Sequence, residues 1–325
     1  MLKPVIWIIS DPKAGTMAQA VGLADRLGGA VRIIEARARF PWRYLPARFW
    51  WSARTALSVS LDGPLPDLVI AAGRSAVAPA AALRGPKTKV VALQDPRMDP
   101  EKFDLVICPD HDSLRGRNVL TTLGCLHKVT PEAIAADQAT AAFRTADLPR
   151  PLVAVMVGGS NGRVRLDAEK LGRELAALAK KTGAGLAVTT SRRTGPAAVA
   201  ALKRALADVP HDLYTGDGAN PYPGILAVAD HLLVTEDSVS MLSEAASAGK
   251  PLHIIRFEGD AGKFKHFHQA LIARRNARFF DGELPSWRVP PLDETQRAAE
   301  AVVGLLIGDA NPHLPEITAE VSRRP

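Results

Sequence analysis

Two stretches of this chain carry residues suited to holding a nucleotide. One is Val155-Met156-Val157-Gly158-Gly159-Ser160-Asn161-Gly162-Arg163; the other runs Thr235-Glu236-Asp237-Ser238-Val239-Ser240-Met241-Leu242-Ser243-Glu244. Each reads as a buried strand that enters a turn and then a helix. A helix N-terminus presents backbone N–H groups without intrahelical partners and the positive end of the aligned peptide dipoles, so it suits phosphate. In the first stretch Gly158 and Gly159 permit the close backbone approach that a pyrophosphate requires, and Ser160 and Asn161 add side-chain donors. In the second, Asp237 or Ser238 is a natural N-cap, and Ser238 and Ser240 place hydroxyls in the first turn. Glu244 follows one to two turns in, where a carboxylate can accept hydrogen bonds from a ribose diol. Together these features point to a nucleotide-diphosphate site. An ordinary β–α turn and a solvated helix-face carboxylate are the plainer alternatives. The glycine spacing is not the dinucleotide fingerprint, and Gly249-Lys250-Pro251 lacks the flanking residues of a P-loop.

Three further strand ends add candidates. Thr190-Ser191-Arg192-Arg193-Thr194 closes an apolar run, and Ser191 with Arg192 could bind phosphate there. In the first half, Asp11-Pro12-Lys13-Ala14-Gly15 follows the first strand. Asp11 could serve as a base and Lys13 could hold an anionic acceptor, which makes this pair the catalytic candidate. Gly15, Arg74 and Asp95 end or follow neighbouring strands and join it on the acceptor side; plain loops are the alternative. Residues 37–54 hold three of the five tryptophans and five arginines. Trp42, Arg43, Trp50 and Trp51 in this segment suit a membrane interface with anionic lipid, or equally a protein partner. A folded, partly buried excursion is the alternative. The scattered histidines, His266 and His268 among them, have no metal-ligand spacing, so neither a metal nor a resident cofactor is expected.

Elements that alternate strand with helix must position these residues. Strands are expected at residues 4–10, 31–34, 68–71, 89–93 and 105–108, with a helix at 16–27 capped by Thr16. After a proline-bounded stretch at 125–150 the pattern restarts, with strands at 152–157, 186–190, 231–234 and 252–257. Helices are expected at 166–180, 196–207, 238–248 and 293–307. Such alternation implies parallel sheets covered on both faces. The chain has 325 residues and a hydrophobic fraction of 47%, enough for two packed domains. We place them at 1–135 and 150–290, with residues 291–310 returning toward the first; the tail after Gly308 reads as loose. Two cysteines make no disulfide framework. No secretory signal or membrane-spanning run is visible, so a cytoplasmic protein, peripheral at the inner membrane, is expected. The net charge of +7 favours anionic partners. Nucleic acid is not among them, since zinc-finger spacing, RNP-like aromatics and long lysine runs are all missing.

The second half resembles the donor domain of the N-acetylglucosaminyltransferase that completes lipid II. That family's Gly-Gly-Ser-x-Gly turn matches Gly158, Gly159, Ser160 and Gly162. Its Ser-Glu-x-Ala-x-x-Gly-x-Pro helix matches Ser243, Glu244, Ala246, Gly249 and Pro251. Its glycine-rich N-terminal loop with a histidine is not present; residues 11–15 occupy that place. Over almost its whole length the chain resembles the bacterial branch of the mitochondrial-fission Elm family. The carrying residues are Asp11-x-Lys13-x-Gly15-x-x-x-Gln19-x-x-Gly22-Leu23-Ala24, Gly73-Arg74, Gln94-Asp95-Pro96, Gly158-Gly159-Ser160, Thr190 to Thr194, Asn220-Pro221-Tyr222 and Asp237 to Glu244. The resemblance implies an α/β, GT-B-like fold of two Rossmann-like domains facing across a cleft. It implies a nucleotide-diphosphate sugar as co-substrate, transferred without metal to a membrane-associated or envelope acceptor. It also implies the alternative of a non-catalytic adaptor, since plant members are linked to recruiting a division dynamin. A short-chain nucleotide-sugar epimerase does not fit: only Gly15 follows strand one, and none of Tyr44, Tyr214 and Tyr222 has a lysine four residues on.

Overall fold

The computed structural model describes residues 3–216, 221–290 and 292–308. Asn220 of the Elm-like motif and the tail after Gly308 lie outside the described residues. The chain divides into two compact units, Met1–Lys128 with Asp293–Pro325, and Val129–Leu292.

Unit 1 begins β1 (Val5–Ser10), α1 (Ala14–Leu27), β2 (Ala30–Glu35), β3 (Leu68–Ala72), α2 (Arg74–Ala81), β4 (Lys89–Leu93), β5 (Leu105–Pro109) and β6 (Val119–Thr122). The strands form one parallel sheet in the order β2-β1-β3-β4-β5-β6. Alternation along β1 and β3 feeds two cores. Trp7, Ile9, Val69 and Ala71 face α2 and the long excursion between β2 and β3, while Ile6, Ile8, Leu68 and Ile70 face α1. Helix α1 starts at Ala14, two residues before the expected Thr16 cap. Lys13 occupies the N-cap without a side-chain hydrogen bond, and its carbonyl accepts the Met17 N–H at 3.0 Å. Gly22 lets α1 lie flush on residue 127, because a Cβ there would stand 2.2 Å from the His127 carbonyl.

Unit 2 contains α3 (Pro131–Arg144), β7 (Leu152–Val157), β8 (Val164–Arg165), α4 (Ala168–Thr182), β9 (Gly185–Thr190), α5 (Pro196–Leu206), β10 (His211–Tyr214), α6 (Tyr222–Val228), β11 (His231–Thr235), α7 (Val239–Ser247), β12 (Leu252–Ile255), β13 (Glu258–Gly259), α8 (Phe264–Ala273) and β14 (Ala277–Phe279). Its parallel sheet runs β10-β9-β7-β11-β12-β14, and β8 and β13 form a small antiparallel pair. Helix α3 packs along α6: Gly224 sits so near α3 that a Cβ would meet the Asp137 carbonyl at 2.1 Å.

The chain then returns to unit 1 through α9 (Glu294–Ile307), whose Ala298, Ala299 and Val302 complete the core under α1. An Arg26–Asp293 ion pair at 2.8 Å and a 3.1 Å hydrogen bond from the His127 N–H to Thr295 Oγ1 fix it there.

The strand orders locate the chain reversal in each sheet. In unit 1 the chain leaves β1 to one side and resumes on the other at β3. In unit 2 the same reversal falls between β7 and β11. Open α/β sheets bind ligands at the carboxyl ends of strands flanking such a reversal.

Candidate functional site

At the unit 2 reversal an aspartate ties the two loops together. The Asp237 side chain is 0% exposed and pairs with Arg193 at 2.8 Å. Its Oδ2 accepts the Gly159 N–H at 3.0 Å, and its Oδ1 accepts the Thr235 hydroxyl at 2.7 Å. Thr235 Oγ1 in turn accepts the Gly158 N–H at 2.8 Å, and the Thr194 hydroxyl donates to the Gly158 carbonyl at 2.6 Å. A Cβ on Gly158 would stand 2.2 Å from Asp237 Oδ1, and one on Gly159 2.0 Å from the Arg193 carbonyl. Both glycines are needed because the protein itself fills the space and takes their amides.

Three other donor-side candidates also hold their own loops. Asn161 Oδ1 accepts the N–H groups of Arg163 and Val164 at 2.8 and 3.1 Å. Ser160 Oγ accepts the Leu166 N–H at 3.0 Å and keeps its proton to donate. Ser191 Oγ accepts the Arg193 N–H at 3.2 Å. Arg192 beside it is exposed, and its guanidinium has no partner among the described residues.

Helix α7 supplies the open groups. Ser238 is its N-cap and accepts the Met241 N–H at 3.4 Å. The next two N–H groups, of Val239 and Ser240, have no partner among the described residues, and neither has the Ser240 hydroxyl. Glu244 lies four residues after Ser240, on the same helix face. The Tyr222 hydroxyl, from the first turn of α6, donates to Glu244 Oε2 at 2.5 Å. Burial, then the neighbouring Glu244 charge, pushes the Tyr222 hydroxyl well above its usual range, so it remains a donor. Sequence reasoning gave Tyr222 no role; its appearance in the Asn220-Pro221-Tyr222 motif was the available signal.

Sequence reasoning also passed over Glu236. Its Oε1 accepts the Phe257 N–H at 2.5 Å, and burial pushes the carboxyl up. It lines a cavity of about 520 Å3 with Arg256, Phe257, Lys265, His268 and Phe279, beyond the ends of β11 and β12.

Unit 1 repeats the device. Asp11 Oδ2 and Oδ1 accept the N–H groups of Arg74 and Ser75 at 3.1 and 3.0 Å, which caps α2 across the β1–β3 reversal. Gly73 stands at φ 95°, and a Cβ there would be 2.5 Å from Asp11 Oδ2. The Asp11 carboxylate thus caps α2. The Arg74 guanidinium donates to the Leu45 carbonyl at 2.8 Å. Asp95 closes its own turn, with Oδ1 accepting the Arg97 N–H at 2.8 Å and Oδ2 pairing with Arg97 Nε at 3.1 Å. Lys13 is exposed and its ammonium has no partner among the described residues, while Gly15 borders open space in the first turn of α1.

The excursion between β2 and β3 is folded as three single 3-10 turns, Trp42–Tyr44, Ala47–Phe49 and Ala53–Thr55. Trp50 is only 8% exposed and donates from Nε1 to the Leu45 carbonyl at 3.0 Å, so it anchors the core instead of meeting a membrane or partner. Trp42 is half-buried and donates to the Trp51 carbonyl at 3.0 Å. The outward rings are Phe40, Tyr44, Phe49 and Trp51, at 75%, 66%, 56% and 59% exposure. Among the described residues no three histidine, cysteine or carboxylate side chains cluster as metal ligands, and no helix is long and apolar enough to cross a membrane.

The family model described as Mitochondrial fission ELM1 matches residues 14–306. The chain is 31% identical over 273 residues to the mitochondrial fission protein ELM1 of Arabidopsis thaliana, covering 74% of this chain and 64% of the plant protein. It thus spans less than two thirds of that relative's length. With the uncharacterized protein RP120 of Rickettsia prowazekii (strain Madrid E) it is 28% identical over 349 residues, covering 91% of this chain and 97% of that one. Solved structures of similar fold include the UDP-GlcNAc 2-epimerase from Neisseria meningitidis bound to UDP-GlcNAc, with a TM-score of 0.51 at 14% identity over 95% of this chain and 92% of that one. A putative UDP-N-acetylglucosamine 2-epimerase from Listeria monocytogenes gives 0.52 at 11% identity, over 96% and 90% of the two chains. The fold is GT-B-like, built on two parallel six-stranded sheets.

Proposed function

The chain belongs to the Mitochondrial fission ELM1 family, and from that premise we propose that it is a glycosyltransferase-like protein that binds a nucleotide-diphosphate sugar at the α7 edge of unit 2. The observation that carries this reading is the start of α7: two unpartnered amides and a hydroxyl, with Glu244 held by Tyr222 one turn beyond, beside the β7–β11 reversal. Val239, Ser240 and Arg192 take the diphosphate, Ser160, Ser191 and Ser238 border it, and Glu244 takes the ribose diol. Leaving-group charge is then balanced by the helix dipole and a guanidinium, without a metal. Lys13 is the acceptor-side cation, and the acceptor is membrane-associated or part of the cell envelope. The protein works at the cytoplasmic face of the inner membrane. A fold neighbour named as bound to UDP-GlcNAc supports a nucleotide sugar as the ligand class.

A second reading is a GT-B-like adaptor that binds partner proteins at membranes and does no chemistry. One observation favours it. Asp237 and Asp11 satisfy the loop amides at both reversals internally, so those edges hold their shape with no ligand.

Titration of the purified protein with UDP, GDP, CDP and dTDP, beside Glu244→Ala, separates the two. A ligand at 100 times its dissociation constant raises stability by about 2.7 kcal/mol, readable as a thermal shift. One nucleotide binding selectively, and losing affinity in Glu244→Ala, supports the transferase. A folded sample that binds none of the four removes the donor site and leaves the adaptor.

A further inference from the structure

We propose that residues 36–61 of unit 1 form a docking surface for an anionic lipid bilayer. The inference deepens the membrane-side placement in the reading above and does not require nucleotide binding.

Charge comes first. From residue 36 to residue 61 there is no aspartate or glutamate, and there are five arginines. Three of these hold the segment or its border in place. Arg37 pairs with Glu35 at 2.9 Å, and Arg39 and Arg54 donate to the carbonyls of Ser58 and Ala82. The other two lie over the outward rings. Arg43 stands 4.6 Å from the Tyr44 ring centre and donates from Nη2 to its hydroxyl at 2.6 Å, and Arg48 stands 4.7 Å from the Phe49 ring centre; neither has a carboxylate partner among the described residues, and each keeps further N–H groups. A guanidinium stacked on a ring at a lipid surface leaves its N–H edge for phosphate oxygens while the ring enters the headgroup layer.

The rings come second. Phe40, Tyr44, Phe49 and Trp51 project from a platform that is already ordered. Trp50 is buried, Trp42 is bonded to the Trp51 carbonyl, and Arg74 and Trp50 both donate to the Leu45 carbonyl. Docking such a surface orders little new backbone. Arg48, Trp50 and Ala53 also line a groove of about 750 Å3 in which, outside the segment, Arg84, Lys89 and Lys102 exceed the carboxylates Glu101 and Asp104 by one, with Arg84 paired to Asp104 at 3.0 Å. The positive charge therefore continues beyond the segment itself. A protein partner needs a matched pattern of charges and an interface core depleted of them. A bilayer rich in anionic lipid offers uniform negative charge and a fluid apolar layer, which is what acid-free arginine with scattered rings complements.

The test is co-sedimentation of the full chain with vesicles of mixed phosphatidylglycerol and phosphatidylcholine, against pure phosphatidylcholine, at several salt concentrations. Binding is expected to the anionic vesicles alone and to weaken with salt. Arg43→Gln with Arg48→Gln should cut the partition coefficient about thirtyfold, at about tenfold for each 1.4 kcal/mol and roughly 1 kcal/mol per basic residue. Phe40→Ser, Phe49→Ser and Trp51→Ser together should cut it roughly tenfold or more. Both variants leave Trp42 and Trp50 in place, so an unchanged thermal melt certifies their fold. No anionic vesicle binding, equal binding to neutral vesicles, or both variants at full affinity overturns the proposal; a protein partner as occupant would give the first of these. Nucleotide titration of the same samples keeps the two readings apart. Vesicle binding that survives Glu244→Ala, in a protein that binds no nucleotide, upholds the docking surface and removes the transferase. The reverse pattern upholds the transferase alone.

Discussion

Replacing Asp237 by asparagine should destabilise unit 2 sharply, although the side chain keeps its size. The carboxylate is fully buried and receives three donors: the Gly159 N–H, the Thr235 hydroxyl and the Arg193 guanidinium. An amide offers one acceptor oxygen, so at least one of those donors must face an NH2 group. Breaking a buried ion pair costs about 3–5 kcal/mol. Arg193 is 46% exposed and recovers part of that in water, which lowers the share assigned to its charge. A stranded buried donor adds about 1–3 kcal/mol. The expected net loss is about 3 kcal/mol, which at a urea slope of roughly 2 kcal/mol per molar lowers the midpoint by about 1.5 M. Urea unfolding followed by far-UV circular dichroism measures it. Where the two units unfold in separate steps, Asp237→Asn should move one, and Asp11→Asn, which loosens the cap on α2, the other. A double-mutant cycle with Arg193→Gln should give a coupling of about 1–2 kcal/mol. A loss below about 1 kcal/mol, or additive effects with Arg193→Gln, would refute the claim that this aspartate holds the loops together.

Gly159→Ala should lower the melting temperature in the absence of any ligand, because its Cβ would meet the Arg193 carbonyl at 2.0 Å. A normal apo melt with only ligand binding impaired would restore the pyrophosphate explanation of that glycine. Tyr222→Phe should weaken nucleotide binding by about fivefold, for the loss of a hydrogen bond worth about 1 kcal/mol, and should have no further effect in Glu244→Ala. Calorimetry showing equal losses in both backgrounds would separate Tyr222 from Glu244. His253, buried in β12 against His231, Phe280 and Trp287, has its pKa pushed down to about 4 by burial and then by His231. Between that value and the ordinary 6.5 the unfolded chain binds the extra proton, so stability falls as pH falls, by about 2 kcal/mol at pH 5 and about 3 kcal/mol at pH 4. His253→Gln should flatten that dependence in urea midpoints measured from pH 7 to pH 4.5; an unchanged slope assigns it to other groups.

The central strands were legible because both sheet faces are covered. Residues 90–93 and 152–157 are continuous apolar runs, and the strands found there run 89–93 and 152–157 as expected. Strand β10, His211–Tyr214, was not legible: it is an edge strand, half-buried along its length, and carries no apolar run. The start of α1 was missed because nothing in a lysine at the N-cap signals a helix. Within the site the difficulty is of another kind. A glycine that must lack a Cβ looks the same in sequence whether phosphate or Asp237 fills the space. The aromatic segment shows this most plainly. Composition marks it as unusual, yet adjacent Phe49 and Trp50 have opposite fates, and only the fold decides which ring points outward. Glu244 was legible as a candidate, but its partner Tyr222 comes from a helix 22 positions earlier.

The return of α9 to the first unit has a consequence for synthesis. Ile6 and Ile8, in β1 and made before any of unit 2, lie in a core completed by Ala298, Ala299 and Val302, which are made after all of it. The domain that begins first therefore finishes last. Unit 2, a single uninterrupted segment, can close while unit 1 still has one sheet face open along α1. A released chain truncated after residue 292 should thus carry a protease-resistant second unit and a sensitive first one, the opposite of the N-terminal-first order usual for chains with two domains.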